Sequence, residues 1–203
     1  MDTKEKILEA ALKLFARQGY QATSVGEIAQ AVGIKAPSLY KHYESKQAIL
    51  QAILLHMEDS YSRQAAQLQM DGVSPGKDGP MFGSLTEDQL VQTVLGLFTY
   101  FRTDPWNSAF RRMLTVEQFR DGELSGLFSR LYFDDPLRYQ SALFSVLGLG
   151  EPDVLALQFY GPIYLLLTLC DREPDRTEEA QTQLQKHVRG FYRICMMKKG
   201  EGK

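Results

Sequence analysis

Apolar residues recur at three- and four-residue intervals along nearly the whole chain, and no convincing run alternates with a period of two. The pattern predicts helices throughout. Asp2 can cap the first with Glu5 three residues on, and Ile7, Leu8, Ala11, Leu14 and Phe15 then share one face. Gly19 is expected to end it in the left-handed conformation. Ser24 and Glu27 form a second capping box, followed by Val25, Ile28, Ala29 and Val32 at helical spacing, and Gly33 stops this short helix. Pro37 fits the first turn of a third helix, where its missing N–H costs nothing, and Leu39 and Tyr43 can face inward. Ser45 caps a longer fourth helix whose inner face carries Ile49, Leu50, Ile53, Leu54, Met57 and Tyr61.

The periodicity then lapses. "MDGVSPGKDGPMFGS", Met70 to Ser84, has four glycines and two prolines and reads as a loop or linker. Helical patterns resume from Thr86 or Asp88 to about Thr103, restart near Trp106, and run from about Glu123 to Leu149, with Pro136 breaking this last pattern or starting its second part. "GLGEPD" is a turn before an apolar helix from Asp153 to Cys170. "DREPDR" is a turn before a last helix from Thr177 to about Met197, with Lys198 and Lys199 past its end. This gives an all-α chain with a short-helix head, residues 1–46, and a larger helical body, 47–203, linked by the fourth helix.

Composition narrows the class. The chain has 203 residues, 44% apolar and 24% charged, enough for a real core. No uninterrupted apolar run has the length of a membrane span, and the N-terminal pattern carries charges and lacks a small-residue cleavage site, so a cytoplasmic protein without a membrane anchor is expected. Cys170 and Cys195 both sit in apolar helical patterns, where buried free thiols are favoured over a disulfide. His42, His56 and His187 are scattered, and no metal site is expected. Net charge is −2, but residues 1–46 carry seven Lys/Arg against five Asp/Glu, a mildly basic head on an acidic body.

Residues 24–42 read as helix, tight turn, helix, braced from behind by the first helix. In that geometry the second helix of the pair enters the DNA major groove, its first residues meeting base edges and its flanks meeting phosphates. The side chains it offers are Lys35, Ala36, Ser38, Tyr40, Lys41 and His42, with Pro37 at its start. Small residues at 36 and 38 let the backbone approach, and Lys35 can donate to guanine or phosphate. Thr23 and Ser24 stand at a helix N-terminus, which suits phosphate, and Lys46 can donate from the next helix. On charge alone, three ordinary amphipathic helices explain the segment better than DNA binding does.

The spacing adds more. "TSVGEIAQAVGIKAPSLYKHYESKQAIL" closely resembles the N-terminal signature of the TetR family of bacterial transcription regulators. The matching positions are Ile28-Ala29, Gly33, Ile34, Pro37, Leu39-Tyr40, His42-Tyr43, Lys46 and Ile49, with Phe15, Gly19-Tyr20 and Thr23 before them. The resemblance covers about residues 3–55. It implies an all-helical homodimer with an N-terminal DNA-binding domain and a larger ligand-binding and dimerisation domain, in most members a repressor released from a palindromic operator by its ligand. Carried over by position, it implies a recognition helix over Ala36–Tyr43. Tyr40, His42 and Lys46 then contact phosphates, and Lys35, Ala36, Ser38 and Lys41 read bases. Position 26 is Gly where some members place a base-reading Arg, which leaves the second helix with phosphate contacts only. Tyr43 replaces a commoner Phe and is kept as core with its hydroxyl near the surface.

For the body the candidates to line an apolar effector pocket are Met57, Phe98, Phe101, Trp106, Phe110, Met113, Phe119, Phe144, Tyr160 and Tyr164; each taken alone is better explained as core. "FRRMLTVEQFRDGEL" holds Arg111, Arg112, Glu117, Arg120, Asp121 and Glu123, read as a solvated face in preference to an internal charge pair. The helices over about 153–197 are the expected dimer surface, because "LALQFYGPIYLLLTLC" is apolar nearly all round; burial inside one subunit is the alternative. Gly161-Pro162 should kink it. No nucleophile–base pair, phosphate loop or cofactor motif stands out, so neither catalysis nor a cofactor is expected. The competing function is a small-molecule binding or interaction protein whose head docks a protein partner.

Overall fold

The computed structural model describes residues 2–201, with side chains through Met197. Every regular element among them is helical: α1 (Thr3–Gln18), α2 (Val25–Val32), α3 (Ala36–Leu39), α4 (Lys46–Gln67), α5 (Pro75–Ser84), α6 (Glu87–Thr103), α7 (Pro105–Glu117), α8 (Gly122–Ser129), α9 (Asp135–Val146), α10 (Pro152–Arg172) and α11 (Thr177–Glu201). The chain divides into two compact units. One comprises residues 1–61 and 105–128, the other 62–104 and 129–203. This division differs from the head and body drawn at 46/47: the first unit takes in most of α4, all of α7 and nearly all of α8. It does so because α7 packs on α1.

In the first unit, α1 buries Ile7, Leu8, Ala11, Leu12 and Phe15, so Leu12 takes the inward place expected of the half-buried Leu14. Asp2 caps α1 by accepting from the Lys4 amide at 2.7 Å. Gly19 ends it at φ 96° and ψ 155°, not in the left-handed helical conformation. A β-carbon there would collide with the Glu117 carboxylate on α7, so Gly19 is required by φ and by space together. Ala109, Phe110, Met113 and Leu114 of α7 are buried.

The second unit centres on Val91, Val94 and Phe98 of α6, Phe144 of α9, Phe159 and Leu167 of α10, and Leu184, Val188 and Phe191 of α11. Phe144, Phe159 and Phe191 form a ring trio with centroids 4.8–5.8 Å apart. Cys170 and Cys195 are both buried.

The expected linker over Met70–Ser84 is corrected: its second part is α5. Its glycines and prolines are bad helix formers, but tertiary contacts override them. Buried Asp78 accepts from the Asp71 amide at 2.6 Å, the Gly72 amide at 2.9 Å and the Tyr139 hydroxyl at 2.6 Å. Gly79 lies so close to α9 that a β-carbon would sit 2.5 Å from Val146 Cγ1. Of the two readings of Pro136, the structure has the second: it starts the later part of that pattern. A widened π-type turn over Arg130–Asp134 joins α8 to α9, with the Asp135 amide reaching back to the Arg130 carbonyl, and Pro136 enters in the first turn of α9. The last helix runs on through Lys198 and Lys199 to Glu201.

α10 is long and apolar enough, by length and composition, to cross a bilayer. Leu155, Ala156, Phe159, Leu167 and Cys170 face the unit's core, while Val154, Leu157 and Leu165 are exposed. Only 28% of its apolar window is buried, so the rest of this chain does not enclose the helix.

Candidate nucleic-acid interface

The geometry of residues 19–46 follows from local bonds. Ser24 and Glu27 form the capping box, with the Ser24 amide donating to Glu27 Oε2 at 2.7 Å and the Glu27 amide to Ser24 Oγ at 3.2 Å. Gly33 closes α2 in the left-handed conformation, with φ 77° and ψ 26°. Its amide meets the Gln30 carbonyl and the Ile34 amide meets the Ala29 carbonyl, both at 3.0 Å, which is the Schellman pattern. The chain then turns at once into α3, which starts at Ala36 with Pro37 in its first turn. The α-helical part is a single turn. Beyond Leu39 the expected recognition helix tightens: Lys41 donates to Ser38 at 3.3 Å and His42 to Leu39 at 2.8 Å. Leu39 is fully buried and holds this turn to its brace.

The candidate DNA contacts separate into two groups. Lys35, Pro37, Tyr40 and Lys41 are exposed, and Ala36, Ser38 and His42 are half-buried beside them. Tyr40, at 53% exposure, is an aromatic ring offered to solvent. From Ile28 to Tyr43 there is no acidic residue, so the local charge is positive. Tyr43 is half-buried, and burial raises its hydroxyl pKa, with Asp2 adding to the effect.

Thr23, Ser24 and Lys46 are placed differently. Thr23 is buried and its hydroxyl donates to the Gly19 carbonyl at 2.7 Å. The Ser24 hydroxyl is occupied on both sides by Glu27. The Lys46 ammonium donates to the carbonyls of Tyr20 at 2.6 Å, Thr23 at 2.9 Å and Gln21 at 3.3 Å. These side chains build the turn before α2. Gln21 and Asp121, which the pattern did not single out, hold the same turn through a side-chain hydrogen bond, and Gln47 donates to Glu123 at 2.8 Å. Residues so far apart in sequence leave no periodic signal.

The run from Phe110 to Leu124 is only partly a solvated face. Arg112, Arg120 and Glu123 are exposed, but Arg111 is 2% and Glu117 is 1% exposed. This corrects the expectation for those two: α7 buries both, with the Glu117 carboxylate against Gly19 at the end of α1.

The effector candidates are divided between the two units. Met57, Trp106, Phe110 and Met113 belong to the first unit, where Trp106 stacks on His56 at 3.9 Å and the other three are core. Phe119 is 86% exposed. Phe98, Phe101, Phe144, Tyr160 and Tyr164 belong to the second unit. There Phe98 and Phe144 are core, Phe101 packs against it, and Tyr160 and Tyr164 stack at 6.2 Å. A cavity of about 60 Å³ in this unit is lined by Phe82, Leu143, Phe144, Phe159, Phe191 and Cys195 among others, so Phe144 alone of the candidates reaches it. An open groove of about 350 Å³ lies along Leu68, Met81, Leu85, Asp88, Gln89 and Gln92.

Comparison with known proteins bears on this geometry. Residues 7–53 match the model described as bacterial regulatory proteins, tetR family. The HTH-type transcriptional regulator YuxN of Bacillus subtilis is 41% identical over 76 residues, which are 37% of this chain and 26% of that protein. The HTH-type transcriptional repressor ComR of Escherichia coli is 36% identical over 66 residues, 32% of this chain and 31% of its own length. The biofilm operon negative regulator IcaR of Staphylococcus aureus is 46% identical over 46 residues, 23% of this chain and 25% of that protein. The chain thus spans between a quarter and a third of the length of these relatives. Solved structures extend the likeness of fold to nearly the full length. A TetR-family transcriptional regulator of Bordetella parapertussis superposes with a TM-score of 0.61 at 23% identity, over 94% of both chains. Salmonella enterica GusR superposes with a TM-score of 0.62 at 21% identity, over 93% of this chain and 94% of its own. The family's N-terminal pattern is carried on the capped α2, tight turn and α3, so residues 7–53 belong to the tetR family of bacterial regulatory proteins, within an all-helical fold shared with TetR-family structures.

Proposed function

We propose that this chain is a DNA-binding transcriptional regulator that acts in the cytoplasm as a homodimeric repressor and leaves its operator when a small, largely apolar effector binds. The observation that carries the reading is the acid-free turn from Lys35 to His42, displayed by a capped helix and a Schellman turn with its cations and the Tyr40 ring facing solvent. Lys35, Ala36, Ser38 and Lys41 read base edges, Tyr40 and His42 bind phosphate, and Pro37 starts the helix that carries them. Two such heads read a near-palindromic operator with half-sites about 34–36 Å apart.

The dimer forms through α10 and α11. Val154, Leu157 and Leu165 on α10 and Ile194, Met196 and Met197 on α11 leave a broad apolar surface exposed in a single subunit. An isologous contact with a second copy covers that surface. Lipid is the poorer cover, because the other face of α10 is built into the core of its unit.

The effector binds the second unit. Its cavity of about 60 Å³ is far below the roughly 300 Å³ that a drug-sized ligand needs. The effector-bound state is therefore an opened form of this unit, and the affinity difference between the closed and opened forms drives release.

The test is selection of duplexes from a random pool by the full chain, followed by gel shift on the recovered sequence. A specific, salt-sensitive shift with two-fold symmetric protection is expected. Absence of any specific shift, together with capture of a protein partner by the head, would replace this reading with that of an interaction protein.

A further inference from the structure

Lys46 is the first residue of α4, and its side chain points back at the end of α1. An ammonium has three N–H donors. Here three carbonyls face it, those of Tyr20, Gln21 and Thr23, at 2.6, 3.3 and 2.9 Å. The nitrogen also lies 4.4 Å from the centroid of the Tyr20 ring, and that ring packs edge-on against Phe15, 5.0 Å away. Burial lowers the Lys46 pKa, and the carboxylates of Glu117, Asp121 and Glu27 work against that shift.

The three carbonyls belong to the turn that leads directly into Ser24, the cap of α2. Contacts between residue 46 and residues 20–23 therefore close a loop that contains all of α2 and α3. The opposite side of the turn is held by the Gln21 hydrogen bond to Asp121 and by Glu117 against Gly19. A Lys46 side chain that reached out to a phosphate would release the part-buried carbonyls of Tyr20 and Thr23 as well as the exposed one of Gln21; Tyr20 would keep the Thr23 amide at 3.3 Å, and the carbonyl of buried Thr23 would lose this donor.

We infer that Lys46 is a positioning residue, which clasps the α1–α2 turn to the start of α4 and so sets the angle at which α2 and α3 meet DNA, instead of binding a phosphate itself. The inference rests on the DNA-binding reading above for its purpose, and on the hydrogen bonds alone for its existence. Arginine distinguishes the two roles. A guanidinium keeps the charge and binds phosphate at least as well, but its flat fork cannot converge on three carbonyls that a compact ammonium fits.

The experiment compares the full-length protein with its Lys46→Ala and Lys46→Arg variants. Affinity for a duplex selected from a random pool is measured as a function of salt, at a temperature where circular dichroism shows every variant folded. Amide hydrogen exchange is followed over residues 20–28. The clasp predicts that both variants lose about tenfold or more in affinity. It predicts the same loss on every duplex, with an unchanged salt slope and faster exchange through the turn. Wild-type affinity in Lys46→Arg, with a slope reduced by about one in Lys46→Ala, would make Lys46 a phosphate ligand and overturn the inference. Unchanged affinity in both folded variants would overturn it as well, leaving Lys46 no part in DNA binding. Should the wild-type protein bind no duplex, the DNA-binding reading fails and hydrogen exchange decides the clasp: faster exchange in both variants supports it and unchanged exchange overturns it.

Discussion

The Tyr139 hydroxyl donates to the Asp78 carboxylate at 2.6 Å, joining α9 to α5 across 61 residues of sequence. The same carboxylate takes two amides of the preceding loop. Asp78→Ala strips the acceptor from three donors at a site that is 2% exposed. A cost of about 2–4 kcal/mol is expected, and about 1–2 kcal/mol for Tyr139→Phe, which leaves the loop amides satisfied. Thermal unfolding of both variants measures this. Equal losses would mean that the hydroxyl, not the loop, is what Asp78 serves.

Gly79 and Val146 make a second contact between the same helices. Gly79→Ala places a methyl 2.5 Å from Val146 Cγ1, and the strain should cost about 1–3 kcal/mol. Val146 is 54% exposed, so Val146→Ala alone should cost little. Together the two changes should be less harmful than their sum, because the second removes the obstacle to the first. Strict additivity in denaturant unfolding would refute the close approach.

Acid should act through named carboxylates. Hydrogen bonds lower the pKa of Glu27, first from the Ser24 amide, then from the Ser24 hydroxyl and Gln18. Those from Arg189 and then Arg193 lower that of Glu87. Asp121 is lowered first by the Leu124 amide and then by Gln21. The unfolded chain regains values near 4, so it binds more protons than the folded chain just below that pH. Their stabilisation is therefore complete above about pH 5 and is lost as pH falls through the lowered values. A Glu27→Gln/Glu87→Gln double variant should be less stable than wild type at pH 7. The two urea midpoints should converge as pH drops below about 4. Parallel curves would show that these hydrogen bonds are not what titrates.

Contacts at the DNA surface should divide by chemistry. Tyr40→Phe removes a neutral donor and should weaken every duplex alike, with little change in salt slope. Lys35→Ala and Ser38→Ala should alter which sequences are preferred in a selection from random DNA. Identical behaviour of all three variants would dissolve the division between base readers and phosphate binders.

What could be read from sequence alone follows the range of the interaction. The capping box at Ser24–Glu27 and the stop at Gly33 are written within a few residues, and each is present as read. α5 was not legible, because Gly79 and Pro80 signal a loop locally while Asp78 and Val146 act from the far side of the fold. The burial of Arg111 and Glu117 was hidden for the same reason: a charge pattern cannot tell solvent from a neighbouring helix. Lys46 occupies a position that suits phosphate, and only the path of residues 20–23 shows where its donors go.

The discontinuity of the first unit bears on how the protein is made. Residues 1–61 leave the ribosome first, but α7, which covers α1, lies within residues 105–128. At about 5–20 residues per second the nascent chain waits roughly 3–13 s for that cover. During this interval the apolar face of Ile7, Leu8, Ala11, Leu12 and Phe15 lacks one of its partners. Residues 1–61 are thus made before residues 105–128 but completed only with them, and a nascent polypeptide stalled before residue 105 would present that face to chaperones instead of to α7.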